Sequence, residues 1–580
     1  MPLWDQEMPE VESISVGIVG SGGAGALTAG NLLLEAASLG GWHGLLTRTV
    51  GPQIRGGEAA ALVRLATRPV ECLLGRFDLL IGIDWLNANR FGGEIEVGPQ
   101  SLVITDPSGG DLPNVVTLAG ARTAEVPIKE LVKAIPEGRP NMVALGLAAG
   151  LLGLREDILR AVIEKRLAEK GQNAVKASDA GVQAGFAAAT RLDLGMRLAA
   201  PEPPTVQRWL ASGNEMTGLG AVRGGIRFAA AYPITPASEI LEWLAPNLPK
   251  VGGVLFQAED ELAAINMIIG ASFGGTPALT ATSGPGLSLM TEALGLAIAA
   301  EIPVVVVDVM RAGPSTGIPT KSEQADLNIA VYGLHGDAPH LVVAPQSIGD
   351  CLFTTQWAVH LAEALQAPAV VLSDQFIGQA VAAIDRPADL AFIGQRATAM
   401  PQVSSYKRYA LSTGGVSPMA IPGTYGGQYT ADGLTHNERG TPTSNENDHR
   451  VQLDKRRTKL EQFSYGDHWA TLEGDGEVAV IAWGSLTGAA REAIVQLRNS
   501  FGHIRLIAPR LLLPVQPERF IAALDGVKRT LVVEQSHGAQ FYHYLRAQYD
   551  MTGDVRLLNR PGPLPIRPSE ISQAIMQWSH

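Results

Sequence analysis

Runs of consecutive apolar residues, broken by short polar or glycine-rich turns, alternate along this chain with stretches in which apolar residues recur every three or four positions. The first kind reads as strands covered on both faces and the second as helices packed on one side. The pattern therefore predicts largely parallel α/β sheets. The opening block, residues 1–197, begins with an apolar strand at 14–19, a glycine-rich turn at 20–25 and a helix to about Leu39. Further strands are expected at 60–65 and 79–83, with a helix-rich part from Pro140 onward. The run Pro201-Glu202-Pro203-Pro204 breaks any helix, and 198–208 reads as a linker.

A second block, 209–395, alternates in the same way. A helix is expected at 259–272 with Leu262, Ile265 and Ile269 on one face, followed by strands at 278–282, 302–309, 341–344 and 368–373. From 396 to 465 the hydrophobic period fades and Gly, Thr, Pro, Asn and charged residues dominate, so this stretch reads as a long irregular excursion. The last block, 466–580, returns to α/β, with strands at 477–483, 504–508 and 530–534 and a helix at 486–498.

Length and composition narrow the class. At 580 residues the chain exceeds a single core, and 46% hydrophobic with 18% charged residues describes a soluble multidomain protein. The net charge of −12 and the lack of a basic block argue against nucleic-acid binding. The longest apolar run, 142–154, is short of the ~20 residues a membrane span needs and reads as a buried helix. The N-terminus MPLWDQEMPEVES is acidic and lacks the form of a signal peptide, so a cytoplasmic location is expected. The two cysteines, Cys72 and Cys351, cannot supply a four-thiolate metal or iron–sulfur site from this chain alone. Two buried free thiols are expected rather than a disulfide.

Several motifs carry candidate chemistry. Gly20-x-Gly22-x-x-Gly25 after a strand matches a dinucleotide fingerprint, but no acidic residue for a ribose occurs between Glu35 and Glu58. A tight turn or a site for another phosphate-bearing ligand fits better, with Gly22, Gly23 and Arg55 as candidates. Gly474-Asp475-Gly476 resembles a diphosphate motif, but its strand follows rather than precedes it, and a plain β-turn is expected. The second block is denser. Tyr232-Pro233-Ile234-Thr235-Pro236 is a stiff segment that can hold one hydroxyl toward a ligand. Glu259, Asp260 and Glu261 open an apolar helix, where acidic residues ordinarily just suit the helix dipole. Thr282-Ser283-Gly284-Pro285-Gly286 makes a strand-to-helix turn, and Arg311 follows an apolar strand where α/β proteins place ligands. An arginine there suits a carboxylate, with two parallel hydrogen bonds available.

The ordered set YPITP, EDELAA, TSGPG and RAGPSTGIPTKSEQADL closely resembles the α subunit of 2-oxoacid:ferredoxin oxidoreductases. The block with GSGGAG and PQIRGG looks like that family's γ subunit fused ahead, and the last block looks like its transketolase C-terminal-type domain. The excursion YKRYALSTGGVSPMAIPG…GLTHNERG, with Lys455-Arg456-Arg457, resembles the 2-oxoglutarate branch. The resemblance implies a γ-type α/β domain over 1–197, a pyrimidine-type domain over 209–395 and a transketolase C-terminal-like domain over 466–580. It implies oxidative decarboxylation of a 2-oxoacid with CoA, electrons passing to ferredoxin, or the reverse reaction. Thiamine diphosphate would be shared with a β subunit bringing Mg²⁺ and a [4Fe–4S] cluster, in a dimer of α–β heterodimers.

By the same resemblance Glu261, preferred to Glu259 on spacing, would hydrogen-bond the aminopyrimidine ring, and Tyr232, Pro233, Ile234 and Ser283, Gly284, Pro285, Gly286 would line the cofactor. Thr235 and Arg311 would hold the 2-oxoacid carboxylate, and the N-terminal block would take CoA. The family often has Ser after the second proline, where this chain has Ala237 followed by Ser238, which leaves the role of Thr235 intact. His436 and Arg439, or a residue of the β subunit, are candidates for a second carboxylate contact. The rival readings are an enzyme of the same family acting on pyruvate or another 2-oxoacid, an NAD-dependent oxidoreductase, and a non-catalytic assembly subunit.

Overall fold

The computed structural model describes residues 9–51, 57–203, 206–318, 321–401 and 405–578. Two compact units emerge. The first comprises residues 1–211, 380–388 and 567–569, and the second holds the remainder.

The first unit is built on an eight-stranded mixed sheet. Its spatial order is Arg122–Glu125, Val97–Thr105, Phe77–Gly82, Ser13–Ser21, Glu58–Ala66, His43–Val50, Val381–Asp385 and Arg208–Ser212. Ser13–Ser21 and Glu58–Ala66 are buried almost throughout, which explains their unbroken apolar runs. The helix Ala26–Leu39 lies on this sheet with Pro140–Leu151, the expected apolar run, whose residues 141–149 are all buried. Residues 380–388 join this sheet from inside the 209–395 span, because Val381–Asp385 pairs antiparallel with His43–Val50. Likewise Arg208–Ser212, at the end of the proposed linker, becomes an edge strand.

The second unit holds two sheets. The larger runs Val254–Gln257, Phe228–Ala231, Ala278–Thr282, Val305–Met310, Ala369–Asp374, Leu341–Val343 and Leu511–Leu513, parallel except for the last pair. The smaller one runs Ala470–Glu473, Ile504–Pro509, Val478–Ala482, Arg529–Glu534 and Asp554–Asn559. One hydrophobic cluster spans both sheets, from Ala229 and Val306 to Ile481 and Val532. Gly474-Asp475-Gly476 is indeed a turn, with positive φ at both glycines and Asp475 exposed beside His503.

Two expectations need correction. In the helix Glu261–Phe273 the buried face is Glu261, Ala264, Ile265, Ile268 and Ile269, while Leu262 is exposed. The excursion is not irregular throughout, for Glu446–Glu461 forms a helix capped by the Asn445 side chain. Its buried positions are Gln452, Lys455, Arg456, Lys459 and Leu460, a helical spacing written almost wholly in polar residues. Lys455 Nζ and Lys459 Nζ reach the two oxygens of buried Glu301 at 2.7 and 2.9 Å. A hydrophobic pattern cannot reveal a helix whose inward face is charged.

Candidate active site

The topology brings the motifs together. Val254–Gln257, Phe228–Ala231, Ala278–Thr282 and Val305–Met310 are neighbours and parallel, so all four end at one sheet edge. Each is followed by a motif: the turn into Glu261, the Tyr232–Pro236 segment, the Ser283–Gly286 turn, and Arg311. Ligands of open α/β sheets bind at such carboxyl edges.

The Tyr232–Pro236 segment bends back into the helix Ser238–Asn247, and Asn214 Nδ2 holds it by donating to the Pro236 carbonyl at 2.9 Å. Tyr232 and Thr235 face outward. Arg311 Nη1 donates to the Thr235 carbonyl oxygen at 2.8 Å, so two residues 76 positions apart share one wall. The Nε of Arg311 is buried and has no acceptor among the described residues.

Asp260 caps the helix Glu261–Phe273 through its side chain, which accepts from Ala263 N at 2.7 Å. This separates the acidic triplet into a cap and an inward residue, for Glu261 is 8% exposed. Among the described residues no donor reaches its carboxylate. Gly286 lies against it: a Cβ there would come within 2.0 Å of Thr282 Oγ1 and 2.9 Å of Glu261 Oε1. The Ser283 hydroxyl is fully buried without a partner. These groups form a narrow, nearly dry cradle with one free carboxylate.

Two acidic residues escaped the sequence reading. Asp308 is fully buried near the end of its strand and interacts electrostatically with Asp326, which precedes the helix Leu327–Tyr332. A Cβ on Gly284 would come within 2.5 Å of Asp326 Oδ1, so the turn requires glycine there. Burial, with the neighbouring Asp326 charge, pushes the Asp308 carboxyl well above its ordinary range. Burial also raises Asp326, to about 7; Glu323 adds to this, while a hydrogen bond from Asp308 and the Arg311 charge oppose it. The segment is clamped by the second sheet. Gln324 Nε2 donates to the Trp483 carbonyl at 2.8 Å, Gln535 Nε2 to that of Ser322 at 3.1 Å, and Gln540 Nε2 to that of Ala325 at 2.7 Å.

Other candidates fall elsewhere. His436 is 1% exposed, stacked on Tyr409 with centroids 3.5 Å apart, and shares a hydrogen bond with the Ala299 carbonyl. Arg439 is exposed. In the first unit a cavity of about 870 Å³ is lined by residues 21–28, with Gly22 and Gly23, and by Arg139, Asn141 and Lys170. It lies at the N-terminus of Ala26–Leu39, which begins after Gly25 in the left-handed region, where a Cβ would strike the Asn141 amide. Arg55 lies outside the described residues. The strand beside this loop, Glu58–Ala66, runs antiparallel to Ser13–Ser21, unlike a dinucleotide-binding βαβ unit.

Fold and site define a multidomain α/β protein with a ligand-binding cradle at the carboxyl edge of a parallel sheet. Residues 219–455 match the family model "Pyruvate flavodoxin/ferredoxin oxidoreductase, thiamine diP-bdg", and 15–184 match "Pyruvate ferredoxin/flavodoxin oxidoreductase". The 2-oxoglutarate synthase subunit KorA of Methanothermobacter marburgensis is 35% identical over 64% of this chain and 99% of its own length. The α subunit of 2-oxoacid:ferredoxin oxidoreductase 2 of Aeropyrum pernix is 32% identical over 79% of this chain and 76% of its own. The solved structure of 2-oxoglutarate:ferredoxin oxidoreductase from Magnetococcus marinus superposes with a TM-score of 0.90 at 33% identity, covering 98% of this chain and 100% of that one. The chain belongs to the 2-oxoacid:ferredoxin oxidoreductases.

Proposed function

We propose that this chain is the α subunit, with a γ-type domain fused ahead of it, of a 2-oxoglutarate:ferredoxin oxidoreductase. The enzyme interconverts 2-oxoglutarate plus CoA with succinyl-CoA plus CO₂, two electrons passing to or from ferredoxin. The observation that carries this is the convergence of Glu261, Thr235 and Arg311 on one sheet edge, in a chain alike throughout to a structure solved with 2-oxoglutarate, CoA and succinyl-CoA bound.

The residues suit an aminopyrimidine: a buried carboxylate and a buried hydroxyl at Ser283, both without a partner among the described residues, and a glycine cradle that any Cβ would fill. Glu261, Ser283 and Gly286 would hold thiamine diphosphate, which when bound would supply a nucleophilic carbon and an electron sink for decarboxylation of a 2-oxoacid. Glu261 would hydrogen-bond the ring nitrogen of the aminopyrimidine. Tyr232, Pro233 and Ile234, with Ser283 to Gly286, keep the ring in place and water out. Arg311 binds the C1 carboxylate with its free guanidinium nitrogens while the Thr235 hydroxyl lies alongside, orienting the 2-oxo carbon. The first-unit cavity is the candidate site for CoA phosphates, where the Gly22–Gly23 turn lets the backbone approach a ligand and Arg139 and Lys170 offer charge.

Two cysteines cannot ligate a cluster, and the one Gly-Asp-Gly is an exposed turn, so a β subunit supplies the [4Fe–4S] cluster, Mg²⁺ and the diphosphate site. No described helix is long and apolar enough to cross a membrane. We place the complex in the cytoplasm as a dimer of α–β heterodimers. The test is to co-express the chain with its partner and follow CoA- and thiamine-dependent reduction of a viologen. Preference for 2-oxoglutarate over pyruvate is the expected result; preference for pyruvate would move the enzyme to another branch. Nicotinamide-dependent activity of the chain alone, or inactivity on every 2-oxoacid, would overturn the reading.

A further inference from the structure

The helix Glu446–Glu461 turns cations inward on two sides. Lys455 and Lys459 take the two oxygens of Glu301, at 2.7 and 2.9 Å. Arg408, fully buried beside them, donates to the carbonyls of Glu301 and Ser417. Arg456 is the fourth cation of this group and is only 8% exposed. Among the described residues it makes no hydrogen bond and no ion pair, and its Nε is shut off from water without an acceptor. Four buried cations thus share one carboxylate whose oxygens are already taken. A guanidinium keeps its proton, and leaving it buried and unpaired is costly.

Arg456 lines a cavity of about 400 Å³. His449, Leu453 and Arg456, at helical spacing, form one wall. The last two turns of the helix Gly284–Ala299 and the segment 335–338 form others. A hydrogen bond of 2.7 Å between Nδ1 and the Thr435 hydroxyl holds the His449 ring, and its Nε2 has no partner among the described residues. His335, Glu292 and Asp337 also line the cavity, all three exposed, so solvent screens the two carboxylates. The buried guanidinium is not screened in this way, and its pull on an anion is the stronger.

We propose that this cavity binds a small-molecule oxyanion, a phosphate or a carboxylate, paired with the Arg456 guanidinium and bonded to His449. The planar fork of the guanidinium matches either group through two parallel hydrogen bonds. No residue placed around the cofactor cradle or the first-unit cavity lines this one, so it is a separate site. A bound anion would tie the excursion to the helix whose first residues, Gly284 to Gly286, line the cradle.

The test is equilibrium dialysis of the chain, with whatever subunit purifies with it, against radiolabelled phosphate and, separately, radiolabelled acetate at constant ionic strength. Binding with a Kd of about 1 mM or tighter is expected for at least one of the two. Arg456→Met should weaken it by about tenfold or more. The anion that binds tighter identifies the ligand as phosphate- or carboxylate-bearing. Phosphate held in the first-unit cavity would be common to both proteins, so only the component lost with Arg456 counts. If Arg456→Met does not accumulate as a folded protein, Gly295→Leu decides. Gly295 lines the cavity from within a helix, and a Cβ there would meet only His335 Nε2, at 3.9 Å. Leucine would fill the space and suit the helix better than glycine, so binding should be lost in a protein that melts no lower than wild type. Equal affinity in wild type and either variant overturns the proposal. So does an absence of binding to wild type, including the case in which an acidic side chain of another subunit already fills the cavity.

Discussion

Arg311 shows how much one side chain is asked to do. Its guanidinium donates to the Thr235 carbonyl and, in the proposed function, offers its remaining donors to a carboxylate. Replacing it with Ala should lower kcat/KM for the 2-oxoacid on the order of a hundredfold, as expected for losing a charged hydrogen-bonded contact worth a few kcal/mol. Lys should rescue it only weakly, since an ammonium cannot make the paired contact. Glu261→Gln keeps the shape of the cradle and removes the carboxylate. A kcat loss of about a hundredfold or more is expected in steady-state assays, with an unchanged melting temperature. Asp326 also links stability to pH. Its folded carboxyl ionises near 7 and the unfolded one near the ordinary 3.8, so its contribution is fully present below the unfolded value and is lost as pH rises to about 7. Asp326→Asn removes that slope, so its melting temperature should gain on wild type from pH 4 to pH 7.

Among the elements, the helix Glu446–Glu461 is held by charge rather than by apolar burial. Glu301 is fully buried; burial alone would raise its carboxyl, but the Lys459, Lys455 and Arg408 charges overturn this and hold it well below the carboxylate range. Glu301→Gln would leave two buried ammonium groups short of an anion. A loss of about 3–5 kcal/mol is expected in denaturant unfolding, and protease cleavage should begin within the excursion. Replacing all three groups with apolar residues should cost less than the single change, because a buried charge is most costly when unpaired.

For the whole molecule, the functional reading divides the work between the units. Arg139→Ala with Lys170→Ala should raise KM for CoA about tenfold and leave KM for 2-oxoglutarate unchanged in the reconstituted complex. The chain purified alone should show no viologen reduction, and adding the β subunit should restore it.

Apolar runs in the sequence placed the strands named from them within two or three residues, since strands buried on both faces need continuous hydrophobicity, while strands such as His43–Val50 and Val97–Thr105 were not named. The motifs at 232–236, 282–286 and 311 were legible because prolines, glycines and a lone arginine just past an apolar strand have local meanings. Strand order was not legible: Phe228–Ala231 lies between Val254–Gln257 and Ala278–Thr282, an arrangement no local pattern encodes. Nor could spacing show that Val381–Asp385 returns to the first sheet, or that a polar helix is folded around Glu301. Asp308 and Asp326 read as ordinary acids among their neighbours. Only folding buries Asp308 completely and brings the Asp326 charge near it, which raises its carboxyl.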